Sequence, residues 1–152
     1  MINRKAAEGD YIKSWSEFQF LPGVIESILL LAQNGYDLYI VTNQRGIARG
    51  LMSESDLEVI HKRMKEELEN NGATIKQIYY CPHGDDDCCE CRKPKPGMLF
   101  RAASEHDFDL TKAIFIGDDS RDVEAGSAAG CKVTMVEPGN SLLDIVESLL
   151  KS

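Results

Sequence analysis

The stretch 113–119, Ala-Ile-Phe-Ile-Gly-Asp-Asp, decides the fold class of this 152-residue chain. Its first four residues are all apolar, which predicts a strand over 113–116 that is buried on both faces. Two carboxylates, Asp118 and Asp119, follow that strand almost directly. Strands buried on both faces belong to parallel sheets that helices cover on each side, so the stretch predicts an α/β protein.

Outward from this strand, helices and strands alternate along the chain. Further strands are predicted over 37–41, 75–80 and 132–136. Helices are predicted over 21–34, 53–70, 96–106, 121–129 and 141–150, and the second of them begins with a capping box of Ser53 and Asp56. The alternation predicts a Rossmann-like, mostly parallel sheet flanked by helices, and the length predicts one domain over 1–152.

Polar chemistry follows three of the predicted strands. Thr42-Asn43-Gln44 ends the first strand, a cysteine-rich loop ends the second, and Asp118-Asp119 ends the third. Ligands of open α/β sheets bind beyond the carboxyl ends of the strands, so all three groups are predicted to meet at one edge.

The cysteine-rich loop has the composition of a zinc site. Cys-x-His is followed after five residues by Cys-x-Cys, and three thiolates with one imidazole complete a tetrahedral zinc shell. Four protein ligands leave no open position, which predicts a structural zinc. The preferred ligands are Cys81, His83, Cys89 and Cys91, and the spacing leaves Cys88 open as a replacement for Cys89.

Charged residues beside these groups suit a phosphate and a hard cation. The pair Arg92-Lys93 follows the zinc loop directly, where it could bind phosphate oxygens. Asp118 and Asp119 could hold magnesium, which takes one or two carboxylates and leaves its other positions to water and phosphate. Acids at such a place can also simply cap the next helix, and that interpretation suffices for Asp122.

Composition restricts the partners and the location. A net charge of −8 and a pI near 4.9 argue against nucleic acid and anionic membranes. No apolar run approaches the roughly 20 residues that span a bilayer, and the first residues do not resemble a signal peptide. These features predict a cytoplasmic monomer with reduced cysteines that binds a small phosphorylated molecule. His61 and His106 are predicted to be solvated helix residues.

The motifs together resemble the haloacid dehalogenase (HAD) superfamily of phosphatases. The likeness is strongest to the branch of D-glycero-D-manno-heptose-1,7-bisphosphate phosphatases and histidinol-phosphatases. Four segments match that branch in order and spacing: Thr-Asn-Gln-x-Gly-Ile-Ala-Arg-Gly at 42–50, Tyr-Tyr-Cys-Pro-His at 79–83, Cys-x-Cys-Arg-Lys-Pro-x-Pro-Gly at 89–97, and Gly-Asp at 117–118.

The resemblance implies a magnesium-dependent phosphomonoesterase with an aspartyl-phosphate intermediate and a structural zinc loop. By position, Thr42 would hold the transferring phosphoryl group and Lys93 would steady the nucleophile and the phosphate. Asp118 would bind magnesium with Asp119 as a helper. The residues implied to lie near the substrate are Asn43, Gln44, Arg45, Arg49 and Arg92. The implied substrate is a sugar bisphosphate, and histidinol phosphate is the alternative.

One departure from the family concerns its first strand. That strand lies at the centre of the sheet and ends in Asp-x-Asp, whose first Asp is the nucleophile and whose second is the general acid. The chain opens with Met-Ile-Asn-Arg, which resembles the residues just after that motif, and neither Glu8 nor Asp10 follows a strand. The expectation is a misassigned start or a truncated version of a phosphatase. The alternative is a catalytically inactive phosphate-binding or interaction domain.

Overall fold

The computed structural model describes residue 2, residues 15–84 and residues 87–151. In these ranges, α1 is Val24–Gln33, α2 is Arg45–Ala48, α3 is Glu54–Asn70, α4 is Gly97–His106, α5 is Ser120–Ala129 and α6 is Leu142–Lys151. The strands are β1 Tyr39–Asn43, β2 Gln77–Cys81, β3 Ile114–Gly117 and β4 Lys132–Met135. Short 3-10 turns cover Trp15–Glu17 and Leu110–Lys112. Glu8 and Asp10 lie outside the described residues.

The strands are parallel, as the sequence predicted, and they form two pairs. In the first pair β1 lies beside β2, with Val41 opposite Tyr79. In the second pair β3 lies beside β4, with Phe115 opposite Val133. Among the described residues, no strand pairing joins β1 to β3. A cavity of about 200 Å³ touches both strands, and these are the two between which the resemblance implies a central strand.

The strand β3 is less buried than its sequence predicted. Ile114, Phe115 and Ile116 are half-buried, and only Gly117 is buried in this strand. Phe115 and Ile116 line the cavity between the two strand pairs. The prediction of burial on both faces was therefore wrong, because it assumed a continuous sheet around β3.

The boundary of β1 also differs from its prediction. The strand covers 39–43 instead of 37–41, because Thr42 and Asn43 still pair with Tyr80 and Cys81 of β2. Thr42 and Asn43 are therefore the last residues of a strand rather than the start of a loop. Their backbone is fixed by hydrogen bonds of the ladder, which gives their side chains a defined direction.

The long helix α3 agrees with its prediction in start, end and buried face. Its capping box is present: the Asp56 N–H donates to Ser53 Oγ at 3.1 Å, and the Ser53 N–H donates to Asp56 Oδ2 at 2.9 Å. Four side chains one helical turn apart are buried: Leu57, Ile60, Met64 and Leu68. Each contributes about 1.5–3 kcal/mol by leaving water, so this face anchors α3 to the core.

Among the described residues, no helix combines the length and the apolar character that a membrane span requires.

Close packing of α5 against the second strand pair leads to a prediction at Gly126. A Cβ atom there would lie 2.5 Å from Val133 Cγ2 and 2.8 Å from Phe115 Cδ2, distances at which atoms overlap. We expect Gly126→Ala to lower the free energy of unfolding by about 1–2 kcal/mol, because overpacking outweighs the better helix propensity of alanine. Chemical denaturation measures this change. Ser127→Ala, on the exposed part of the same helix, is the matched control; equal stability of the two variants would contradict the packing argument.

Candidate functional site

Residues from or next to the three polar groups line the cavity between β1 and β3, at the carboxyl ends of these strands. Thr42 and Gln44 lie at the end of β1, Lys93 follows the zinc loop, and Asp118 and Asp122 follow β3. All five line the same cavity. The fold thus places a hydroxyl, an ammonium group and two carboxylates around one space.

A buried ion pair lies at the centre of this site. Lys93 Nζ is 2.5 Å from Asp122 Oδ1, and the two side chains are only 16% and 6% exposed. The other oxygen, Asp122 Oδ2, accepts hydrogen bonds from the backbone N–H groups of Asp118 and Asp119, each at 3.1 Å. A buried carboxylate is stable only with such partners, so Asp122 fixes both the ammonium group and the turn that carries Asp118.

Asp122 is the functional residue that sequence reasoning missed. It was interpreted as a helix-capping acid, and it does take part in the capping box of α5. The spacing Gly117-Asp118-x-x-x-Asp122 was the available signal. It places Asp122 in the first turn of α5, next to the residues that end β3. Gly117 is required there, because a Cβ atom would lie 2.3 Å from Asp122 Cβ.

Asp119 faces a different partner from Asp118. It caps α5 and accepts from the Arg121 backbone N–H at 2.9 Å and from Arg121 Nε at 3.1 Å. Hydrogen bonds from Arg121 lower the pKa of the Asp119 carboxyl to about 2. Its carboxylate is thus used in the helix cap, and among the two consecutive acids it is Asp118 that lines the cavity.

The zinc motif forms one compact cluster. The candidate ligand atoms of its four residues lie within 4.8 Å of one another, and the four are Cys81, His83, Cys89 and Cys91. His83 Nδ1 is 3.3 Å from Cys81 Sγ and 3.2 Å from Cys91 Sγ. Three thiols and one imidazole at these separations fit a tetrahedral zinc ion. Burial and hydrogen bonds with neighbouring thiols raise the pKa of Cys81 to about 12, so a cation is needed to keep this thiolate.

The alternative ligand Cys88 lies outside this cluster. Its side chain is exposed, and its backbone has a φ of 52°, in the left-handed region. Cys89, by contrast, has its Sγ 3.6 Å from Cys81 Sγ. The geometry therefore favours Cys89 as the fourth ligand.

The cationic residues predicted to lie near the substrate occupy two places. Arg92 is 7% exposed, and its Nη1 donates to the carbonyl of His83 at 3.3 Å. Arg45 is the first residue of α2 and Arg49 directly follows its last residue. The Arg45 side chain lies beside Gly84 of the zinc loop. These three arginines do not line the cavity. Gln44, which was also predicted to lie near the substrate, does line it.

Two histidines differ from their predicted solvent exposure. His61 is half-buried, lines the cavity and packs against Tyr80 with ring centroids 5.9 Å apart. Burial lowers the pKa of His61 to about 4, so it is neutral at pH 7. His106 packs on Tyr39 and forms a hydrogen bond with Gln77 at 3.0 Å. Both were predicted wrongly, because their contacts lie on strands distant in sequence.

Comparisons with known proteins show which proteins this chain resembles. Residues 90–149 match the family model described as HAD-hydrolase-like. The chain is 42% identical over 133 residues to a D-glycero-beta-D-manno-heptose-1,7-bisphosphate 7-phosphatase of Pseudomonas aeruginosa, covering 88% of this chain and 75% of that protein. It is also 42% identical over 116 residues to an alpha-heptose-1,7-bisphosphate 7-phosphatase of Campylobacter jejuni, covering 76% of this chain and 66% of that protein.

A solved structure has the same fold. The crystal structure of the D,D-heptose 1,7-bisphosphate phosphatase from B. bronchiseptica, complexed with magnesium and phosphate, superposes with a TM-score of 0.89. The two sequences are 32% identical, and the match covers 99% of this chain and 93% of that one.

Proposed function

Since this chain belongs to the D-glycero-D-manno-heptose-1,7-bisphosphate 7-phosphatase family of HAD-like hydrolases, we propose that it removes a phosphate from a sugar bisphosphate, D-glycero-D-manno-heptose 1,7-bisphosphate. The observation that carries this proposal is the buried Lys93–Asp122 pair, which lines one cavity together with Thr42 and Asp118. A phosphoryl group in that cavity would meet a hydroxyl, an ammonium group and a carboxylate suited to magnesium.

Each of these residues has a role that follows from its chemistry. The Thr42 hydroxyl donates a hydrogen bond to a phosphoryl oxygen, and Lys93 offsets negative charge on the phosphoryl group and the nucleophile. Asp118 would hold Mg²⁺, which would offset further charge on the phosphoryl oxygens. Asp122 keeps Lys93 in place and holds the turn of Asp118. Catalysis of phosphoryl transfer is mostly such positioning and electrostatic stabilisation.

The nucleophile is proposed to be an aspartate at the end of an extended segment that lies between β1 and β3. Ile40 and Phe115 give the cavity apolar walls, as a strand with apolar side chains requires, and Ile2 lines the same cavity. The carboxylate attacks phosphorus and forms an acyl phosphate while the sugar oxygen leaves with a proton from a general acid. Water then hydrolyses the acyl phosphate and releases inorganic phosphate.

Substrate contacts are proposed for Gln44, which lines the cavity, and for Arg45, Arg49 and Arg92 nearby in the chain. Asp119 remains a proposed helper at the magnesium site, and a separate role is proposed for Asn43. The proposal for Arg92 rests on its place directly before Lys93 in the chain, since its buried guanidinium donates to the zinc loop. The zinc cluster has a structural role, since its four ligands leave no open position.

The setting of the reaction is also proposed. The chain would act as one domain and as a monomer in the cytoplasm, without nucleic acid or membrane partners. The net charge of −8 supports the exclusion of polyanions. The relatives include enzymes named for the beta and for the alpha anomer of the heptose, so both anomers belong in an activity test.

The proposed function predicts activity that depends on an aspartate placed in the cavity. The experiment compares the 152-residue chain with a version in which an apolar strand ending in Asp-x-Asp-Gly precedes it. We expect magnesium-dependent phosphate release from both heptose 1,7-bisphosphate anomers, and much slower release from histidinol phosphate, in the extended version. Asn in place of the first added Asp is the matched control and should lower the rate by about 10³-fold or more.

Each result has a separate meaning. No phosphate release by either version would contradict the phosphatase proposal. Equal rates of both versions would contradict only the assignment of the nucleophile. Faster release from histidinol phosphate than from either heptose bisphosphate would replace the proposed substrate by the alternative.

A further inference from the structure

The side chain of Asn43 pairs with the backbone of Lys93, which lies 50 residues further along the chain. Asn43 Oδ1 accepts the backbone N–H of Lys93 at 3.0 Å, and Asn43 Nδ2 donates to the carbonyl of Lys93 at 3.2 Å. A side-chain amide has one acceptor and two donors in a plane, so it can pair with a peptide as a neighbouring strand does. Both backbone polar groups of Lys93 thus have the same partner.

Lys93 is consequently held at both its ends. Its ammonium group is fixed by Asp122 of α5, and its backbone by Asn43 at the end of β1. Its neighbour Arg92 is supported differently, because its guanidinium donates to the carbonyl of His83 in the zinc loop. The two adjacent cations are therefore tied to different parts of the fold, Arg92 to the zinc loop and Lys93 to the strand end.

The position of Asn43 in the strand gives this contact a consequence for the site. Asn43 directly follows Thr42, and both belong to β1, where they pair with Tyr80 and Cys81. Thr42 lines the cavity, and Asn43 binds the backbone of Lys93. The end of β1 therefore sets the position of the Thr42 hydroxyl relative to the Lys93 ammonium group. A functional pair of groups must be held within a fraction of an ångström to act together.

We propose that Asn43 is a positioning residue that acts through Lys93, rather than a residue that contacts the substrate. The inference rests on the proposed function, because it takes the cavity to be a phosphate site. It assigns to Asn43 the alignment of the Lys93 ammonium group with the Thr42 hydroxyl. Loss of the Asn43 amide then harms phosphate binding only while a cation is present at position 93.

A double-mutant cycle tests this dependence with inorganic phosphate as the probe, titrated calorimetrically in the presence of Mg²⁺. We expect Asn43→Ala to weaken phosphate binding about 10-fold, and Lys93→Gln, whose amide can still donate to Asp122, about 100-fold. In the Lys93→Gln protein, Asn43→Ala should add no more than about a 2-fold loss. The same 10-fold loss in both backgrounds would mean that Asn43 contacts phosphate itself, and would overturn the inference.

Hydrogen exchange at the Lys93 amide tests the same contact without any ligand. We expect Asn43→Ala to speed exchange of this single amide about 10-fold, because its acceptor is lost. Asn71→Ala is the matched control, since it removes an amide–carbonyl bond to Glu67 at the exposed end of α3. It should leave both the Lys93 amide and phosphate binding unchanged.

The two measurements separate the possible failures. Unchanged exchange at Lys93 in the Asn43→Ala protein would overturn the inference, whatever the phosphate affinities are. Absence of phosphate binding by the unsubstituted protein would instead contradict the proposed function. Faster exchange at Lys93 in the Asn43→Ala protein would then still show that Asn43 holds the Lys93 backbone, but the phosphate-binding role assigned to Asn43 would fall with the proposed function.

Discussion

The Asp118→Asn protein is expected to bind phosphate equally weakly with and without Mg²⁺. In the presence of Mg²⁺, its affinity for phosphate should be at least about 100-fold lower than that of the unsubstituted protein. Asp118 is the acid after β3 that lines the cavity and is not consumed by the helix cap. Asparagine keeps the shape and one oxygen but removes the charge that a hard cation requires. Calorimetric titration of phosphate at several magnesium concentrations measures the effect, and turnover of the version with an added Asp-x-Asp strand should fall in parallel.

The adjacent acid provides the matched control for this substitution. Asp119 carries the same charge one residue away, but its oxygens accept from the backbone and guanidinium of Arg121. Asp119→Asn should therefore lower the stability of α5 while it keeps most of the magnesium dependence. If Asp119→Asn abolished the magnesium dependence and Asp118→Asn did not, the assignment of the magnesium ligand would have to be reversed.

The second large effect is expected for Cys91→Ser. The cluster has four candidate ligands, and serine is a poor substitute for a thiolate, so the zinc content should fall from about one ion per chain to nearly none after dialysis. Cys91 directly precedes Arg92, whose guanidinium is bound to the carbonyl of His83. Loss of the metal should thus free both Cys91, which precedes Arg92, and His83, whose carbonyl binds the Arg92 guanidinium. The melting temperature should fall by several degrees.

Cys88 supplies the control within the same loop. It is exposed and lies outside the cluster, so Cys88→Ser should retain zinc, melting temperature and phosphate affinity. Zinc content by atomic absorption and thermal unfolding are the measurements. Retained zinc in the Cys91→Ser protein would remove Cys91 from the ligand set, and lost zinc in the Cys88→Ser protein would make Cys88 a ligand.

Several parts of the structure followed from local sequence alone. The alternation of helices and strands, the family and the capping box of α3 were all predicted correctly. Each helix, strand and capping box depends on residues within a few positions of each other, such as Ser53 with Asp56, whereas the family was recognised from four motifs between 42 and 118. The zinc cluster was predictable for the same reason, because its ligands occupy one loop of eleven residues between Cys81 and Cys91.

Other parts needed the folded chain. The sequence predicted that β3 is buried on both faces, but this strand borders a cavity and is half-buried. His61 was predicted to face solvent, but it packs against Tyr80 and lines the cavity. Burial of a strand or a histidine depends on elements that pack from elsewhere in the chain, which periodicity within one segment does not reveal.

The sequence by itself determined the family, the α/β class, the loop that carries the candidate zinc ligands and the candidate residues at the strand ends. Only the tertiary structure decided which partners those candidates contact. Asp122 binds the Lys93 ammonium group, Asn43 binds the Lys93 backbone, and Asp119 caps a helix instead of lining the cavity. The partners of Lys93 lie 29 and 50 residues away in the chain. Spacing encodes contacts within one loop or helix, whereas contacts between distant segments exist only after strands and helices have packed.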